Sequence, residues 1–298
     1  MMRIAISGGR GRLAPLIARH FGAQGSKVRL FSRTEGEGLE SLDRLTQPET
    51  WEDLDVLIHC GWSSVPLTAE RHPENSALQD LPLLRRILTA ASTATTPSRI
   101  VFLSSAAIYG DTGVEPVDEE QAPQPLGAYA RGKWEAEKIL TESAIPSLIL
   151  RVTNLLGEKP DLDRPQGILP RLIHAAKAEE EVALWGDGSA TREFLYVDDA
   201  CRGLLLAAER YNDPDPVNLG AGFEISMKQL AHTIRDAVGF TGEIHWDTSK
   251  PNGQPRRMLD VTRAKERFGF QSEVSLEAGL ATTIAWFREN QERLVGAP

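Results

Sequence analysis

Cysteine, basic clusters and long apolar runs are scarce in this 298-residue sequence. Its two cysteines, Cys60 and Cys201, lie in apolar contexts without partners at metal-ligand spacing, so we expect reduced, buried thiols, no disulfide and no metal site. No apolar run approaches the ~20 residues that a membrane helix needs. The formal net charge is −9 and no basic block stands out, which disfavours nucleic acid as a partner.

The composition is that of an ordinary globular protein. Hydrophobic residues make up 41% of the chain and charged residues 25%, enough apolar material for one large domain or two joined ones. A strand pattern begins at residue 3 and leaves no room for a signal peptide. We therefore expect a cytoplasmic protein.

The first 31 residues have the pattern of a nucleotide-binding unit. A short buried-strand pattern at residues 2–7 runs into Gly8 and Gly11, an amphipathic helix follows, and a second strand covers residues 28–31. Gly8 permits a tight turn, Gly11 lets the backbone approach a pyrophosphate, and Ala14 allows close packing of helix on strand. The free N–H groups at the helix start favour phosphates. The sequence therefore predicts dinucleotide binding.

The end of the second strand indicates which dinucleotide binds. An acid there would bind the ribose 2′-hydroxyl of NAD, whereas arginine suits the 2′-phosphate of NADP. This chain has Ser32 and Arg33 instead of an acid, and Arg10 projects from the glycine loop. Two guanidiniums and a hydroxyl form a plausible phosphate clamp, so NADP is favoured and NAD stays open. The alternative is that both arginines are solvated loop residues.

A serine, a tyrosine and a lysine indicate hydride chemistry. Ser105 follows a buried strand at 99–103, and Tyr129 and Lys133 lie four residues apart at the start of a helix predicted over 129–143. Residues four apart share a helix face, so we expect the Lys133 ammonium to lower the pKa of the Tyr129 phenol from near ~10. Such a tyrosine exchanges a proton with an alcohol or ketone, and Ser105 can bond the same oxygen. An exposed helical pair without function is the alternative.

Strands alternate with helices along the first half of the chain. Residues 56–60, 100–104 and 148–152 read as strands, residues 81–88 as part of a helix, and no third strand can be placed within 34–50. This order predicts an α/β fold, a doubly wound parallel (Rossmann) sheet with a smaller C-terminal substrate-binding lobe. We assign residues 1–157 to the dinucleotide domain and 158–298 mainly to the lobe, with segments around 193–218 returning to the sheet. In the lobe we expect a loop at 158–167, a helix at 169–180 and a strand at 182–185.

The chain resembles the extended short-chain dehydrogenase/reductase family, in its nucleotide-sugar epimerase, dehydratase and reductase branch. The resemblance covers nearly the whole length and rests on Gly8-x-x-Gly11-x-x-Ala14, Tyr129-x-x-x-Lys133, and segments 55–59, 104–110, 150–154, 186–199, 217–220 and 250–260.

The resemblance implies a role for each matching residue. Ser105, Tyr129 and Lys133 would be the catalytic trio, and Ser105, Asn154, Arg192 and Arg256 would bind a nucleotide-diphosphate sugar, with Arg257 competing for the last place. The cofactor site would comprise Gly8, Arg10, Gly11, Arg12, Leu13, Ser32, Arg33, Cys60, Gly61, Tyr129 and Lys133. Asp198 and Asp199 read as helix-capping acids, and a salt bridge to Glu193 or Asp198 is the alternative role for Arg192. A homodimer through the 129–143 helix is also what the family suggests.

The chain departs from the family's pattern at several positions, and one of these departures narrows the expected reaction. The family's dehydratases carry Asp-Glu directly after the catalytic hydroxyl residue, where this chain has Ala106 and Ala107, so 4,6-dehydration is disfavoured. The family's Asn before the Ser strand falls at Asp80. An NADPH-dependent 4-ketoreductase is favoured over a 4-epimerase with tightly held NAD, and a non-catalytic NADP-binding sensor is a remote third alternative.

Overall fold

The computed structural model describes residues 1–95, 98–113, 116–157, 172, 181–210, 214–250 and 252–290. The strands are β1 (Arg3–Ser7), β2 (Lys27–Ser32), β3 (Leu39–Ser41), β4 (Val56–His59), β5 (Arg99–Ser105), β6 (Ser147–Val152), β7 (Asn154–Leu156), β8 (Val182–Trp185), β9 (Thr191–Arg192), β10 (Phe194–Tyr196), β11 (Val217–Leu219), β12 (Ile225–Ser226) and β13 (Ile244–Asp247). The α-helices are α1 (Leu13–Ala23), α2 (Pro48–Trp51), α3 (Pro66–Arg71), α4 (Leu81–Thr93), α5 (Ala128–Thr141), α6 (Val197–Arg210), α7 (Met227–Val238), α8 (Thr262–Phe268) and α9 (Leu276–Glu289). Single turns of 3₁₀ helix cover Leu42–Thr46 and Ala106–Tyr109, and a π-helical segment covers Ser76–Asp80.

Seven parallel strands form the central sheet in the order β11-β6-β5-β4-β1-β2-β3. The order reverses between β1 and β4, which is the switch point where open α/β sheets bind ligands at their carboxyl edge. The predicted doubly wound parallel sheet is therefore confirmed.

Alternating side chains of the sheet form two separate cores. Ile4 and Ile6 of β1 pack on one face with α1 and α6, while Ala5 between them packs on the other face with α4 and α5. Successive strand residues point to opposite faces, so strands that are apolar on both sides need helices on both sides.

The C-terminal half forms three small two-stranded sheets and also contributes to the main sheet. β10 pairs with β7, β12 with β9, and β13 with β8, while β11 lies beside β6 at the edge of the main sheet. The chain thus returns to the sheet after leaving it, and α6 packs on α1.

The structure adds elements that the sequence pattern did not reveal. The third strand that could not be placed within 34–50 is β3, whose three half-buried residues pair with the end of β2. The predicted loop at 158–167 lies outside the described residues, as does the predicted helix at 169–180 apart from its buried Leu172. In the described ranges, every helix is too short or too polar to traverse a lipid bilayer.

Candidate active site

The glycine loop after β1 has space for backbone only. Gly8 has a φ of +84°, and a Cβ there would lie 2.9 Å from the Gly61 Cα. A Cβ on Gly11 would lie 3.0 Å from the Gly8 carbonyl oxygen, which accepts the Gly11 N–H at 2.7 Å. Because α1 begins two residues later at Leu13, the loop presents bare backbone at a helix start. The residues therefore fit a dinucleotide diphosphate.

A cleft of about 490 Å³ opens along the carboxyl ends of β1, β2, β4 and β5. Every predicted catalytic and cofactor-binding residue lines it, namely Gly8, Arg10, Gly11, Arg12, Leu13, Ser32, Arg33, Cys60, Gly61, Ser105, Tyr129 and Lys133. Trp62, Ser64 and Asp80 also line it, and the prediction of the cofactor site did not include them.

The end of β2 is basic, and the Arg10 side chain packs against the residues that follow it. The Arg10 guanidinium donates to the carbonyl oxygens of Thr34 at 3.2 Å and Glu35 at 3.0 Å. Arg33 lies 3.3 Å from a carboxylate oxygen of Asp80. Asp80 is buried and also accepts from the N–H of Ser63 at 2.9 Å, so it fixes both Arg33 and the loop after β4.

The three residues of the predicted catalytic trio come together in the cleft. β5 ends at Ser105, and α5 carries Tyr129 and Lys133 in its first two turns. Lys133 is 3% exposed, and its Nζ donates to the Leu103 carbonyl oxygen at 2.8 Å. The Nζ lies 6.0 Å from the centroid of the Tyr129 ring.

Burial determines the direction of the pKa shifts of Tyr129 and Lys133. It raises the pKa of Tyr129 to about 12, and a hydrogen bond with Ser105 only partly opposes this. Burial also lowers the pKa of Lys133 to about 8, against the attraction of Asp80, Cys60 and Glu137. The expected lowering of the Tyr129 pKa by Lys133 is therefore wrong for this arrangement, because desolvation of the phenolate dominates and the ammonium is bonded to Leu103.

A buried ion pair lies behind the trio. Glu137, one turn after Lys133 on α5, accepts from the Arg151 guanidinium at 2.8 Å and from the Ser104 hydroxyl. Arg151 also donates to the Tyr109 hydroxyl at 2.9 Å, and Tyr109 donates to Asn218 on β11 at 2.7 Å. The network ties the serine strand to the helix of the tyrosine and lysine. The only sequence feature that pointed to Glu137 is its position four residues after Lys133, on the same face of the predicted helix.

The predicted substrate residues beyond Ser105 lie apart from the cleft lining. The Asn154 amide donates to the Glu193 carbonyl oxygen at 2.9 Å, and Arg192 donates to the Gln254 carbonyl oxygen at 2.8 Å. Arg256 forms a 2.5 Å ion pair with Glu224. Their predicted contacts with substrate stay predictions.

Arg257 is better placed electrostatically than Arg256 to bind an anion. Burial, with Arg192 nearby, lowers the pKa of Arg257 to about 10. Its guanidinium donates to the Gln254 side-chain oxygen at 2.8 Å, and no described carboxylate pairs with it or with Arg192. Two adjacent guanidiniums without a carboxylate favour binding of a doubly charged diphosphate.

The two predicted helix-capping acids have other partners. Asp198 and Asp199 do lie in the first turn of α6, but Asp198 pairs with His20 at 3.1 Å, and Asp199 accepts the Val274 N–H at 2.9 Å. The alternative salt bridge of Arg192 to Glu193 is also absent among the described contacts, because buried Glu193 accepts backbone N–H groups instead, including that of Ala221 at 2.7 Å. Across the described ranges, no three His, Cys, Asp or Glu side chains converge as metal ligands.

Comparison with known proteins gives one consistent family. The model of the NAD dependent epimerase/dehydratase family matches residues 4–220. GDP-L-fucose synthase of Escherichia coli (strain K12) is 30% identical over an alignment covering 99% of both chains. Probable GDP-L-fucose synthase 1 of Oryza sativa subsp. japonica is 32% identical over 73% of this chain and 71% of its own. The structure of UDP-glucose 4-epimerase with UDP-glucose from Thermotoga maritima superposes with a TM-score of 0.83 at 25% identity, covering 97% of this chain and 100% of that one.

Proposed function

Because this chain belongs to the NAD dependent epimerase/dehydratase family, we propose that it is an NADPH-dependent reductase of a nucleotide-linked 4-keto sugar. The acid-free, basic end of β2 carries the proposal. Ser32, Arg33 and Arg10 provide a hydroxyl and two guanidiniums where an NAD enzyme would have a carboxylate. The matched GDP-L-fucose synthases point the same way.

The chain's own residues divide the work of binding and proton transfer. The loop from Gly8 to Leu13 would hold the diphosphate of the dinucleotide, and Arg33 with Arg10 its 2′-phosphate. Bound NADPH supplies a hydride to the sugar carbon. Tyr129 would donate a proton to the C4 oxygen while Ser105 bonds the same oxygen. Lys133, positively charged below pH about 8, would place a positive charge beside this proton transfer.

The substrate would be a nucleotide-diphosphate sugar. Arg192 and Arg257 are adjacent guanidiniums without a described carboxylate partner, and they would bind the diphosphate together with Asn154. Arg256 is the weaker candidate because Glu224 already neutralises it. Ala106 and Ala107 carry no acid or base for removing water, so a 4-keto-6-deoxysugar would have to reach the site already dehydrated.

A 4-epimerase with tightly held NAD is the second candidate. The likeness to the Thermotoga maritima UDP-glucose 4-epimerase over nearly the full chain favours it. The same serine, tyrosine and lysine would serve both reactions, so the trio does not separate them.

One assay pair separates the two candidates. We expect NADPH oxidation, followed at 340 nm, to require a nucleotide-linked 4-keto-6-deoxysugar, and Tyr129→Phe to lower kcat by about 10²- to 10⁴-fold with little change in NADPH affinity. Interconversion of a nucleotide sugar and its C4 epimer without added cofactor, with NAD found in the purified protein, would favour the epimerase. No turnover in either assay, with NADP bound, would favour a sensor.

The assembly and setting are part of the proposal. Leu78 and Leu126 are 71% and 64% exposed beside α5, which supports a homodimer through that helix. A monomeric mass by light scattering would contradict it. Free thiols at Cys60 and Cys201 agree with a reduced, cytoplasmic setting.

A further inference from the structure

Two aromatic rings cover the ammonium of Lys133. The Nζ lies 4.2 Å from the centroid of the Trp62 ring and 4.6 Å from that of Phe102. The rings of Trp62 and Phe102 pack edge to face, with their centroids 5.9 Å apart. The ammonium therefore has one described hydrogen bond, to the Leu103 carbonyl oxygen, and two π faces at cation–π distance.

The other charged and titratable groups around this ammonium are few. They are Asp80 from the π-helical segment, Cys60 after β4, His59 on β4, and Tyr129 and Glu137 on α5. Asp80 also pairs with Arg33, and Glu137 with Arg151, so each carboxylate is shared with another cation. The two rings are thus a substantial part of what compensates a buried positive charge.

The indole of Trp62 is not explained by hydrogen bonding. Its Nε1 is buried and has no partner among the described residues, and a buried unpaired N–H costs free energy that phenylalanine would avoid. What tryptophan adds over phenylalanine is a larger π face, the best of the three aromatics for a cation.

We propose that Trp62 is a positioning residue for Lys133. Together with Phe102, its ring holds the ammonium at the Leu103 carbonyl oxygen, sets its distance from Tyr129 and favours its charged form. The inference rests on the proposed function only in naming Lys133 as catalytic. It assigns to the segment after β4 a role in tuning proton transfer.

The test compares Trp62→Phe, which keeps a π face and removes the indole N–H, with Trp62→Leu, which keeps apolar bulk only. Trace labelling with acetic anhydride across pH 6–11, read by mass spectrometry, measures the titration of Lys133 without any turnover. We expect Trp62→Leu to shift the Lys133 titration down by roughly 0.4 to 1.5 pH units, the equivalent of one cation–π contact, and Trp62→Phe by less. The alkaline limb of the kcat profile should move by the same amount, with KM for NADPH nearly unchanged.

Different results would overturn the inference. Equal Lys133 titrations in all three proteins would exclude a role for the ring face, whatever the melting temperature does. A rise in the Kd for NADPH in both variants without a titration shift would make the indole N–H a ligand contact instead. Should Trp62→Leu fail to fold, Phe102→Leu removes the other ring and must give a downward shift. A titration shift in a protein whose Tyr129→Phe variant keeps full activity would retain the inference and reject the proposed function.

Discussion

At the scale of single residues, burial and charge oppose each other throughout the cleft. Tyr129 and Lys133 are both pushed toward their neutral forms, the phenol to a pKa of about 12 and the ammonium to about 8. The i, i+4 spacing placed them correctly on one face of α5, but spacing contains no information about desolvation. Depth in the fold, which the sequence pattern does not give, determines which effect prevails.

We expect Arg33 to decide the preference between the two dinucleotides. We expect Arg33→Ala to weaken NADPH binding by about 10- to 100-fold, because one charge-assisted bond to a phosphate is worth ~1.5–3 kcal/mol, and to leave NADH binding nearly unchanged. Titration calorimetry with both dinucleotides measures the difference. Arg86→Ala removes an equally exposed arginine that pairs with Asp43 and should alter neither affinity. Equal losses for NADPH and NADH would contradict the phosphate clamp.

Position along the chain was enough to bring the proposed cofactor residues together in one cleft, but not the proposed substrate residues. Parallel strands end at one edge of the sheet, so residues following β1, β2, β4 and β5 had to meet. Asn154, Arg192 and Arg256 lie among the two-stranded sheets of the C-terminal half, where no such rule applies. Choosing between Arg256 and Arg257 required seeing Glu224, which is distant in sequence.

At the scale of elements, the Glu137–Arg151 pair joins α5 to β6. Both side chains are almost fully buried, with exposures of 2% and 4%, and Glu137 also binds Ser104, the residue before Ser105. The pair therefore fixes the helix that carries Tyr129 and Lys133 against the strands that carry Ser105. A buried pair of this kind loses far more when one partner is removed than when both are replaced.

Removing one partner of this pair should be worse than removing both. We expect Glu137→Gln to lower the free energy of unfolding by about 3–5 kcal/mol, because Arg151 is left buried and uncompensated. Glu137→Leu combined with Arg151→Met should recover most of that loss. Urea unfolding measures both. Lys138→Met breaks the exposed Glu135–Lys138 pair on the same helix and should cost less than ~1 kcal/mol. Additive losses in the double variant would contradict this account.

Strong patterns predicted the main elements, and weak patterns left the others unseen. The apolar stretches of β1, β4, β5 and β6 are buried on both faces, and the predicted helix at 129–143 is α5 at Ala128–Thr141. β3 has only three half-buried residues, α2 is a single turn, and the Ser76–Asp80 segment is π-helical. Such short pieces are held by the neighbours that they pack against, so their own sequences contain little periodicity.

At the scale of the whole molecule, buried polar side chains join distant parts of the chain. Glu193 is fully buried and accepts from the backbone of Gly222 at 2.8 Å and Leu259 at 3.1 Å. Asn218 on β11 donates to the carbonyl oxygen of Val117 at 2.8 Å. The Asn218–Val117 contact crosses the boundary at residue 157, and the Glu193 contacts join three segments of the C-terminal half. The division at residue 157 stays a proposal about function and not about independent folding.

A neutral histidine below the nucleotide loop makes the stability of the fold depend on pH. His59 is 1% exposed, its Nδ1 lies 2.8 Å from the Ser7 hydroxyl, and its ring stacks on Phe102. Burial, helped by the charge of Lys133, lowers its pKa from 6.5 to about 3. Above pH 6.5 neither the folded nor the unfolded chain protonates this ring. Between 6.5 and about 3 only the unfolded chain does, so stability falls as the pH falls.

We expect His59 to lower the free energy of unfolding by up to about 1.4 kcal/mol for each pH unit below 6.5, or by ~2 kcal/mol at pH 5. We expect His59→Asn, measured by urea unfolding at pH 7, 6 and 5, to be less stable at pH 7 but to have a shallower decline toward pH 5. His72→Asn changes an exposed histidine and should keep the slope of the parent protein. Asp80, Glu119 and Glu193, whose pKa values are raised by burial, favour the folded state as the pH falls, but they are common to all three proteins. The difference in slope therefore isolates His59, and parallel declines in the parent and His59→Asn would contradict a ring held neutral in the fold.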